Sequence, residues 1–437
     1  MKKKLIYLAI AGVMVIHLAC TKDNILSKEE LVEIVPQEPV NPPQEPLIPP
    51  QEPVKYKPYT PIELTNQEMQ KAGTDNQFAW KIFKKVSELN GKNTFFSPLS
   101  LNMALGMLYN GASGETRTEM AEALGMADFT ETEINEYYLK MTSALQESDP
   151  LTGLSIANSI WYRSGFPVKQ PFIDINQHYF DAMVKDLDFS KPSAVDSINN
   201  WCAEKTKNKI KEIIEGPIDS DIMMYLMNAL YFKGEWMMTF NEDNTKKAVF
   251  TTSDNQKLET AIMEQTTYFP YYADKDVRCV ELPYGNRAFS MVIVLPENNM
   301  DIEQLIDYLD AEKWQNIVDN LENWVNIQLK LPRFKVECDI PLNAPVKNIG
   351  MNRIFSGGFE HISDFELYVS GIIQKTVVEV NEKGTEAAAV TSLGFCTSAG
   401  DEPPPPLPFF ANRPFLYLIK EKSTGVILFI GRLDKPV

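Results

Sequence analysis

The fold is decided by the stretch Val380-Asn381-Glu382-Lys383-Gly384-Thr385-Glu386-Ala387-Ala388-Ala389. It follows an apolar, alternating segment, Ile373 to Val380, that predicts a β-strand, and no further strand is predicted before Phe415. A connection of about thirty residues without a secondary-structure period is unusual in a compact domain and is generally functional or disordered. The sequence therefore predicts a long exposed loop, from about Glu382 to Phe409.

The first half of this loop has the alternation of a strand. In an extended chain one face would carry Thr385, Ala387, Ala389, Thr391, Leu393, Phe395 and Thr397. These side chains are small at the start and more apolar later, as a strand that slides into an existing sheet would require. The alternative is a short helix, because Glu386 to Ala389 are adequate helix formers. Gly384 suits a hinge, since glycine accepts backbone angles that other residues avoid.

Outside the loop the pattern predicts an α+β fold. Helical spacing covers Phe78 to Leu89, and further helices are predicted from Ser97-Pro98, over Gly114 to Leu124 and over Asp301 to Leu321. Strands are predicted at Ser155–Trp161, Met223–Phe232, Arg287–Leu295, Ile327–Val336 with a break at Pro332, Phe415–Ile419 and Val426–Leu433. Helices dominate early and strands late, which favours α+β over regular βαβ alternation.

Composition narrows the function. The 437 residues are 44% hydrophobic and 23% charged, enough for a large core in one domain or several. The net charge of −17 and the lack of a basic stripe argue against nucleic acid, heparin-like polyanions and anionic membrane surfaces as partners. Apart from Cys20, the cysteines are Cys202, Cys279, Cys338 and Cys396. Their spacing fits no metal or redox motif, so no cofactor is expected, and the first three are predicted to be buried thiols.

The first 64 residues predict a leader and a tether. Three lysines precede the apolar stretch Leu5 to Ile16, and Leu18-Ala19-Cys20 resembles the cleavage and lipidation site of bacterial lipoproteins. We expect residues 1–19 to be removed and Cys20 to carry lipid; plain secretion is the alternative. Residues 20–64 contain three Pro-Gln-Glu-Pro repeats, which favour a semi-rigid spacer. The predicted location is the bacterial envelope, with the outer membrane and surface display favoured, and the membrane is met only through the lipid.

Several motifs in order resemble the serpin family over residues 65–437. The stretch Val380–Ala389 is similar to the hinge of inhibitory serpins. The other motifs are Phe96-Ser97-Pro98-Leu99-Ser100, Asn228 to Trp236, Glu281-Leu282-Pro283-Tyr284, Leu331-Pro332-Arg333-Phe334 and Ala411-Asn412-Arg413-Pro414-Phe415. The resemblance implies the serpin fold, with helices around a large central mixed sheet and smaller sheets, and an exposed reactive loop.

The resemblance also implies a mechanism and a monomeric inhibitor. In the family a protease attacks the loop and forms an acyl-enzyme, and the cut loop then inserts into the central sheet and traps the enzyme. The hinge residues carried over are Glu382, Gly384, Thr385, Glu386, Ala387, Ala388 and Ala389. The sheet-opening residues carried over are Ser97, Ser100, Asn228, Trp236 and Gln374, where the family usually has histidine at the last position. Ser97 could instead cap a helix and Trp236 could be ordinary core.

Family spacing from Gly384 places the reactive bond between Ser398 and Ala399. The loop is longer than usual, and the excess is assigned to the proline-rich segment after this bond, which a protease would not prefer to cut. Specificity would then come from Phe395, Cys396, Thr397 and Ser398. Small residues suit elastase-like or subtilisin-like serine proteases, whereas Phe395 would suit chymotrypsin-like enzymes or papain-like ones that cut after Cys396. An exposed thiol at Cys396 could tune inhibition or be incidental.

Two rival functions stay open. An enzyme is poorly supported, because only His178 and His361 remain after the leader and neither lies in a hydrolase motif. A non-inhibitory member of the same family, acting as a binding module, is the second rival. The hinge composition argues against it and Gln374 mildly favours it.

Overall fold

Two large sheets, with helices packed around and between them, form the fold. The computed structural model describes residues 10–20, 59–90, 93–297, 299–321, 323–385 and 405–436. The α-helices of these ranges are α1 (Asn66–Asn90), α2 (Pro98–Tyr109), α3 (Gly114–Ala123), α4 (Glu131–Glu147), α5 (Gln170–Phe180), α6 (Pro192–Lys205), α7 (Ile302–Tyr308), α8 (Ala311–Asn320) and α9 (Asn343–Asn348). The predicted α+β class is confirmed.

The strands are named in chain order. They are β1 (Ile10–Cys20), β2 (Thr94–Phe96), β3 (Gly153–Arg163), β4 (Met183–Leu187), β5 (Ile222–Glu235), β6 (Lys246–Thr251), β7 (Lys257–Ala273), β8 (Val277–Pro283), β9 (Phe289–Pro296), β10 (Trp324–Pro332), β11 (Phe334–Pro341), β12 (Leu367–Val380), β13 (Gly384–Thr385), β14 (Leu407–Phe410), β15 (Phe415–Glu421) and β16 (Ile427–Leu433).

The sheet that matters for function has the order β11-β12-β1-β5-β3-β4, with β13 paired to β5. We call it the central sheet. The second sheet has the order β14-β10-β7-β8-β9-β15-β16-β2, with β6 paired to β7. Helix α2 is buried along its whole length and packs against strands of both sheets, so its apolar residues join them into one core.

Two sequence predictions are corrected. The helix expected over Asp301–Leu321 is interrupted, because Leu309 is extended and the Asp310 carboxylate caps a new helix by accepting from the Lys313 amide at 2.9 Å. A strand also resumes before Phe415, since β14 pairs in parallel with β10. Leu407 and Pro408 at its start are exposed, and β14 lies at the edge of its sheet, where proline is tolerated. Glu382 and Phe409, the ends of the predicted exposed loop, are buried.

The amino-terminal segments take positions on the folded domain. Tyr59, Ile62 and Leu64, which the sequence assigns to the tether, pack against the core, and the Tyr59 hydroxyl donates to Glu421 at 3.1 Å. Strand β1, which except for Cys20 belongs to the predicted leader, lies between β5 and β12 and is antiparallel to both. In the described ranges no helix is long and apolar enough to cross a membrane.

The buried thiols agree with prediction at two of three positions. Cys202 and Cys279 are buried and unbridged, whereas Cys338 is half-buried. Burial raises the pKa of the Cys202 thiol to about 12. This thiol is therefore protonated at neutral pH and has little nucleophilic character.

Candidate functional site

The predicted hinge begins at a tight turn at the end of β12. After Val380 the chain reverses over Asn381 to Lys383, and backbone hydrogen bonds join Asn381 and Gly384 in both directions at 3.2 Å. Gly384 has φ +124°, and a Cβ there would lie 2.4 Å from the Gly234 carbonyl oxygen and 2.6 Å from the Trp236 nitrogen. The turn therefore requires glycine, both for its backbone angles and for lack of space.

Two of the hinge residues already lie in the central sheet. Gly384 and Thr385 form β13 and pair antiparallel with Glu235 and Gly234 at the end of β5. Thr385 is fully buried, and its hydroxyl lies 3.1 Å from the Tyr284 hydroxyl. Burial raises the pKa of Tyr284 well above its ordinary value, and the hydrogen bond to Thr385 opposes that shift only in part. The hinge thus enters the sheet through a contact between two buried, neutral hydroxyl groups.

Trp236 fastens the turn from the side of β5. Its backbone amide donates to the Lys383 carbonyl at 3.0 Å, and its indole Nε1 donates to the Asn381 carbonyl at 2.9 Å. The indole stacks on the Tyr284 ring, with centroids 4.5 Å apart and planes 12° apart. Trp236 is therefore more than core filling: it holds the point where the loop enters the sheet.

A charged latch holds Glu382. Its side chain is 4% exposed and forms a two-pronged ion pair with Arg333, whose Nη2 lies 2.5 Å and Nε 2.6 Å from Oε1, while Nε lies 2.8 Å from Oε2. The Thr245 hydroxyl donates to the same carboxylate. The Arg333 side chain is 45% exposed. Water can therefore solvate the guanidinium if the ion pair is lost, but it cannot reach the buried carboxylate as easily.

This asymmetry gives a prediction for stability. Arg333→Ala strands a buried carboxylate and should lower the free energy of unfolding by about 3 kcal/mol. Glu382→Ala leaves an arginine that can turn to solvent and should cost about 1 kcal/mol. Urea unfolding of both variants measures the difference. Equal losses would mean that the carboxylate is not buried as described.

The predicted sheet-opening cluster is divided between the two sides of β1. On the β12 side, the Gln374 carboxamide binds both backbone groups of Ser97: its Oε1 accepts from the amide at 2.8 Å and its Nε2 donates to the carbonyl at 3.0 Å. The Ser97 hydroxyl accepts from the Ser100 amide at 3.1 Å and donates to the Leu428 carbonyl at 2.8 Å. Ser97 is therefore both helix cap and cluster member, and each polar atom of the Gln374 side chain has a hydrogen-bond partner there.

On the β5 side, Asn228 binds a different partner. Its Nδ2 donates to Asn158 Oδ1 at 2.8 Å, and the Ser100 hydroxyl reaches the Asn228 carbonyl at 3.5 Å. The Asn228 Oδ1 is buried and finds no donor among the described residues. Met14 of β1 lies opposite both Asn228 and Gln374, and separates them.

Sequence reasoning missed several residues of this site. Arg333 and Tyr284 lie in motifs quoted above but had been given no role, because their partners are far along the chain. Thr245 and Asn158 carried no sequence signal. The predictions for Glu386, Ala387, Ala388, Ala389, Phe395, Cys396, Thr397, Ser398 and Ala399 lie outside the described residues. Cys20 ends β1, opposite Leu367.

Comparison with known proteins places this geometry in context. The family model described as serpin (serine protease inhibitor) matches residues 73–436. The chain is 33% identical to Iripin-2 of Ixodes ricinus over 378 residues, 84% of this chain and 94% of that protein. It is 32% identical to a leukocyte elastase inhibitor of Xenopus laevis, over 82% and 97% of the two chains. The native thermophilic serpin tengpin superposes with a TM-score of 0.75 at 28% identity, over 87% and 97%.

Proposed function

The chain belongs to the serpin family, whose members are generally protease inhibitors, and we propose that it traps serine endopeptidases by inserting its cut loop between β5 and β12. One observation carries the proposal: β13, which consists of hinge residues Gly384 and Thr385, is already paired to β5, in line with the position between β5 and β12 that β1 occupies. We call that position the gap. Insertion would extend a ladder that has begun, so it needs no new nucleation in the sheet.

Both borders of the gap give the same alignment for the rest of the loop. Antiparallel partners shift by one residue in opposite directions, so six steps beyond the Thr385–Gly234 pair place Thr391 opposite Asn228. Extending the Asn381–Gly384 bridge along β12 by seven steps places Thr391 opposite Gln374. Met14 of β1 holds that same position between Asn228 and Gln374. The inserted loop would thus take the register that β1 has.

This alignment supports the alternation predicted from sequence. In β1, Met14, Ile16 and Leu18 belong to the main core, whereas Val13 and Val15 pack with the cluster beneath α6. The loop residues that would replace the first set are Thr391, Leu393 and Phe395. One polar and two apolar side chains would therefore enter the main core. The Thr391 hydroxyl would lie beside the Asn228 Oδ1, which has no donor among the described residues.

The length of β5 agrees with a reactive bond between Ser398 and Ala399. Strand β5 begins at Ile222, and the same register sets residue 397 opposite it. A loop cut between Ser398 and Ala399 would fill β5 to its end. In the reaction we propose, the protease serine oxygen attacks the Ser398 carbonyl, the Ala399 amine leaves, and an ester to Ser398 remains when insertion drags the enzyme away.

The target class follows from the bait. Cys396, Thr397 and Ser398 are small, which favours elastase-like or subtilisin-like enzymes with shallow pockets. The similarity to a protein named leukocyte elastase inhibitor supports the same choice. Chymotrypsin-like enzymes, which would cut after Phe395, and papain-like enzymes, which would cut after Cys396, are secondary targets.

The test mixes the chain, prepared without residues 1–19, with pancreatic elastase, subtilisin, chymotrypsin and papain. We expect a complex that survives SDS with the first two enzymes and a released carboxy-terminal fragment that begins at Ala399, read by mass spectrometry. Loop cleavage at the same bond without a complex would identify a non-inhibitory serpin instead. A fragment with another start would move the specificity residue.

We also propose that Cys20 is lipidated and that the repeats after it hold the inhibitor away from the envelope surface. Cys20→Ser should move the protein from the membrane fraction to the soluble fraction of the producing bacterium, because one lost anchor leaves only weak surface contacts. Immunoblots of the two fractions measure it. Replacing Thr21 with Ser is the matched control and should leave the protein with the membranes.

A further inference from the structure

We propose that the gap between β5 and β12 is a strand-binding site for the chain's own segment Ile10–Cys20, which excludes the reactive loop until that segment is removed. This inference rests on the proposed function, because exclusion has a consequence only if the loop must insert. It adds a stage before inhibition: the unprocessed chain would be a closed form.

The segment fits the gap along both edges. Its eleven residues pair with β5 from Ile10–Phe232 to Ala19–Ile222 and with β12 from Ala11–Val377 to Cys20–Leu367. A central strand with two antiparallel neighbours satisfies its backbone groups on both sides. An open gap would instead leave the facing edges of β5 and β12 without these partners.

The side chains also match their surroundings. Met14, Ile16 and Leu18 are fully buried in the main core, and Val13 and Val15 are fully buried in the cluster under α6. Gly12 lies where a Cβ would be 3.2 Å from Thr376 Cγ2, so the gap has little depth at that level. The best occupant is an apolar strand that is small near the hinge end.

The segment and the loop compete for one place. Strand β13 ends opposite Gly234, and β1 starts opposite Phe232, so only Lys233 separates their partners along β5. Both strands run antiparallel to β5, and β1 therefore continues the line that the hinge begins. A loop that entered beyond Thr385 would meet Ile10 at once.

Two details favour exchange once processing occurs. The predicted cleavage before Cys20 removes every residue of β1 except the last. Met14 also offers no donor to the buried Asn228 Oδ1, whereas Thr391, at the same register position, carries a hydroxyl. The segment thus occupies the gap while it is attached. At the middle of the gap, beside Asn228, the loop offers the better hydrogen-bonding partner.

The experiment uses the full chain with Cys20→Ser, which blocks lipid processing, and the same chain with Val15→Pro. Proline removes an amide donor and does not fit the middle of a sheet, so the segment should leave the gap. Val15→Ala keeps the amide and is the matched control. Hydrogen exchange of the amides in residues 11–19 reads occupancy, and the association rate with elastase reads inhibition.

We expect the amides of the full chain and of Val15→Ala to exchange at least about 100-fold more slowly than those of Val15→Pro. If about one molecule in a hundred has an open gap, inhibition by the full chain should be about 100-fold slower than by Val15→Pro. Unprotected amides, or elastase trapped at equal rates by the full chain and by Val15→Pro, would overturn the inference. Protected amides with no trapped elastase in any variant would uphold the strand site and refute the proposed function.

Discussion

Thr385→Arg should convert the chain, freed of residues 1–19, from an inhibitor into a substrate. Thr385 is fully buried, its hydroxyl contacts Tyr284, and it pairs with Gly234, where even a Cβ would lie 2.6 Å from the Tyr284 ring. An arginine there would bury an unpaired charge at a cost of several kcal/mol, so β13 would not form and insertion would lose its starting pair with β5.

The measurement is the number of inhibitor molecules consumed per elastase molecule inhibited. We expect a rise of about 100-fold, since about 3 kcal/mol against insertion changes the partition by that factor. Lys383→Arg is the matched control, because Lys383 is half exposed in the turn outside the gap. A Thr385→Arg chain that traps elastase as efficiently as the parent would mean that the loop does not enter beside β5.

Ala389→Phe should have the second largest effect. The register places residue 389 at the position of Gly12, where a Cβ already lies 3.2 Å from Thr376 Cγ2, 3.5 Å from Phe429 and 3.7 Å from Ser97 Cβ. Overpacking a well-filled site costs about 1–3 kcal/mol, and a ring exceeds the space by far more than a methylene. We therefore expect an increase in stoichiometry of about 10- to 100-fold.

The control for this prediction is Ala389→Gly, since glycine is the residue that the gap accommodates at that level. It should trap elastase about as well as alanine does. If Ala389→Phe also keeps full inhibition, the register is wrong by at least one residue. Such a slip would turn residue 389 toward the opposite face of the sheet.

Local sequence patterns predicted much of this fold because they report local physics. The alternation before Val380 predicts a strand and Gly384 predicts a residue with unusual backbone angles, and the structure has both. The serpin family was identified from motifs and is confirmed over residues 73–436. The strand at Leu407–Phe410 was missed because its pairing with β10 depends on residues about eighty positions away.

The site itself was harder to predict, because its contacts are long-range. Glu382 was placed in the hinge, but its partner Arg333 and the donor Thr245 are brought to it only by the fold. Gln374 stands where the family usually has histidine, and its amide binds both backbone groups of Ser97, which could not be predicted from the sequence. The apolar segment before Cys20 has the pattern of a leader and also that of a buried strand. The sequence alone therefore predicts the leader and does not reveal the strand.

The central claim is that the cut loop becomes a strand between β5 and β12. Differential scanning calorimetry of the chain without residues 1–19, before and after cleavage of the loop by a protease that the chain does not trap, tests it most directly. Burial of Val390, Leu393 and Phe395 is worth about 1.5–3 kcal/mol each, or about 4.5–9 kcal/mol together. With an entropy of unfolding of about 2.1 cal/mol/K per residue over residues 65–437, the melting temperature should rise by about 6–12 °C. A cleaved chain that melts at the temperature of the intact one would contradict the claim.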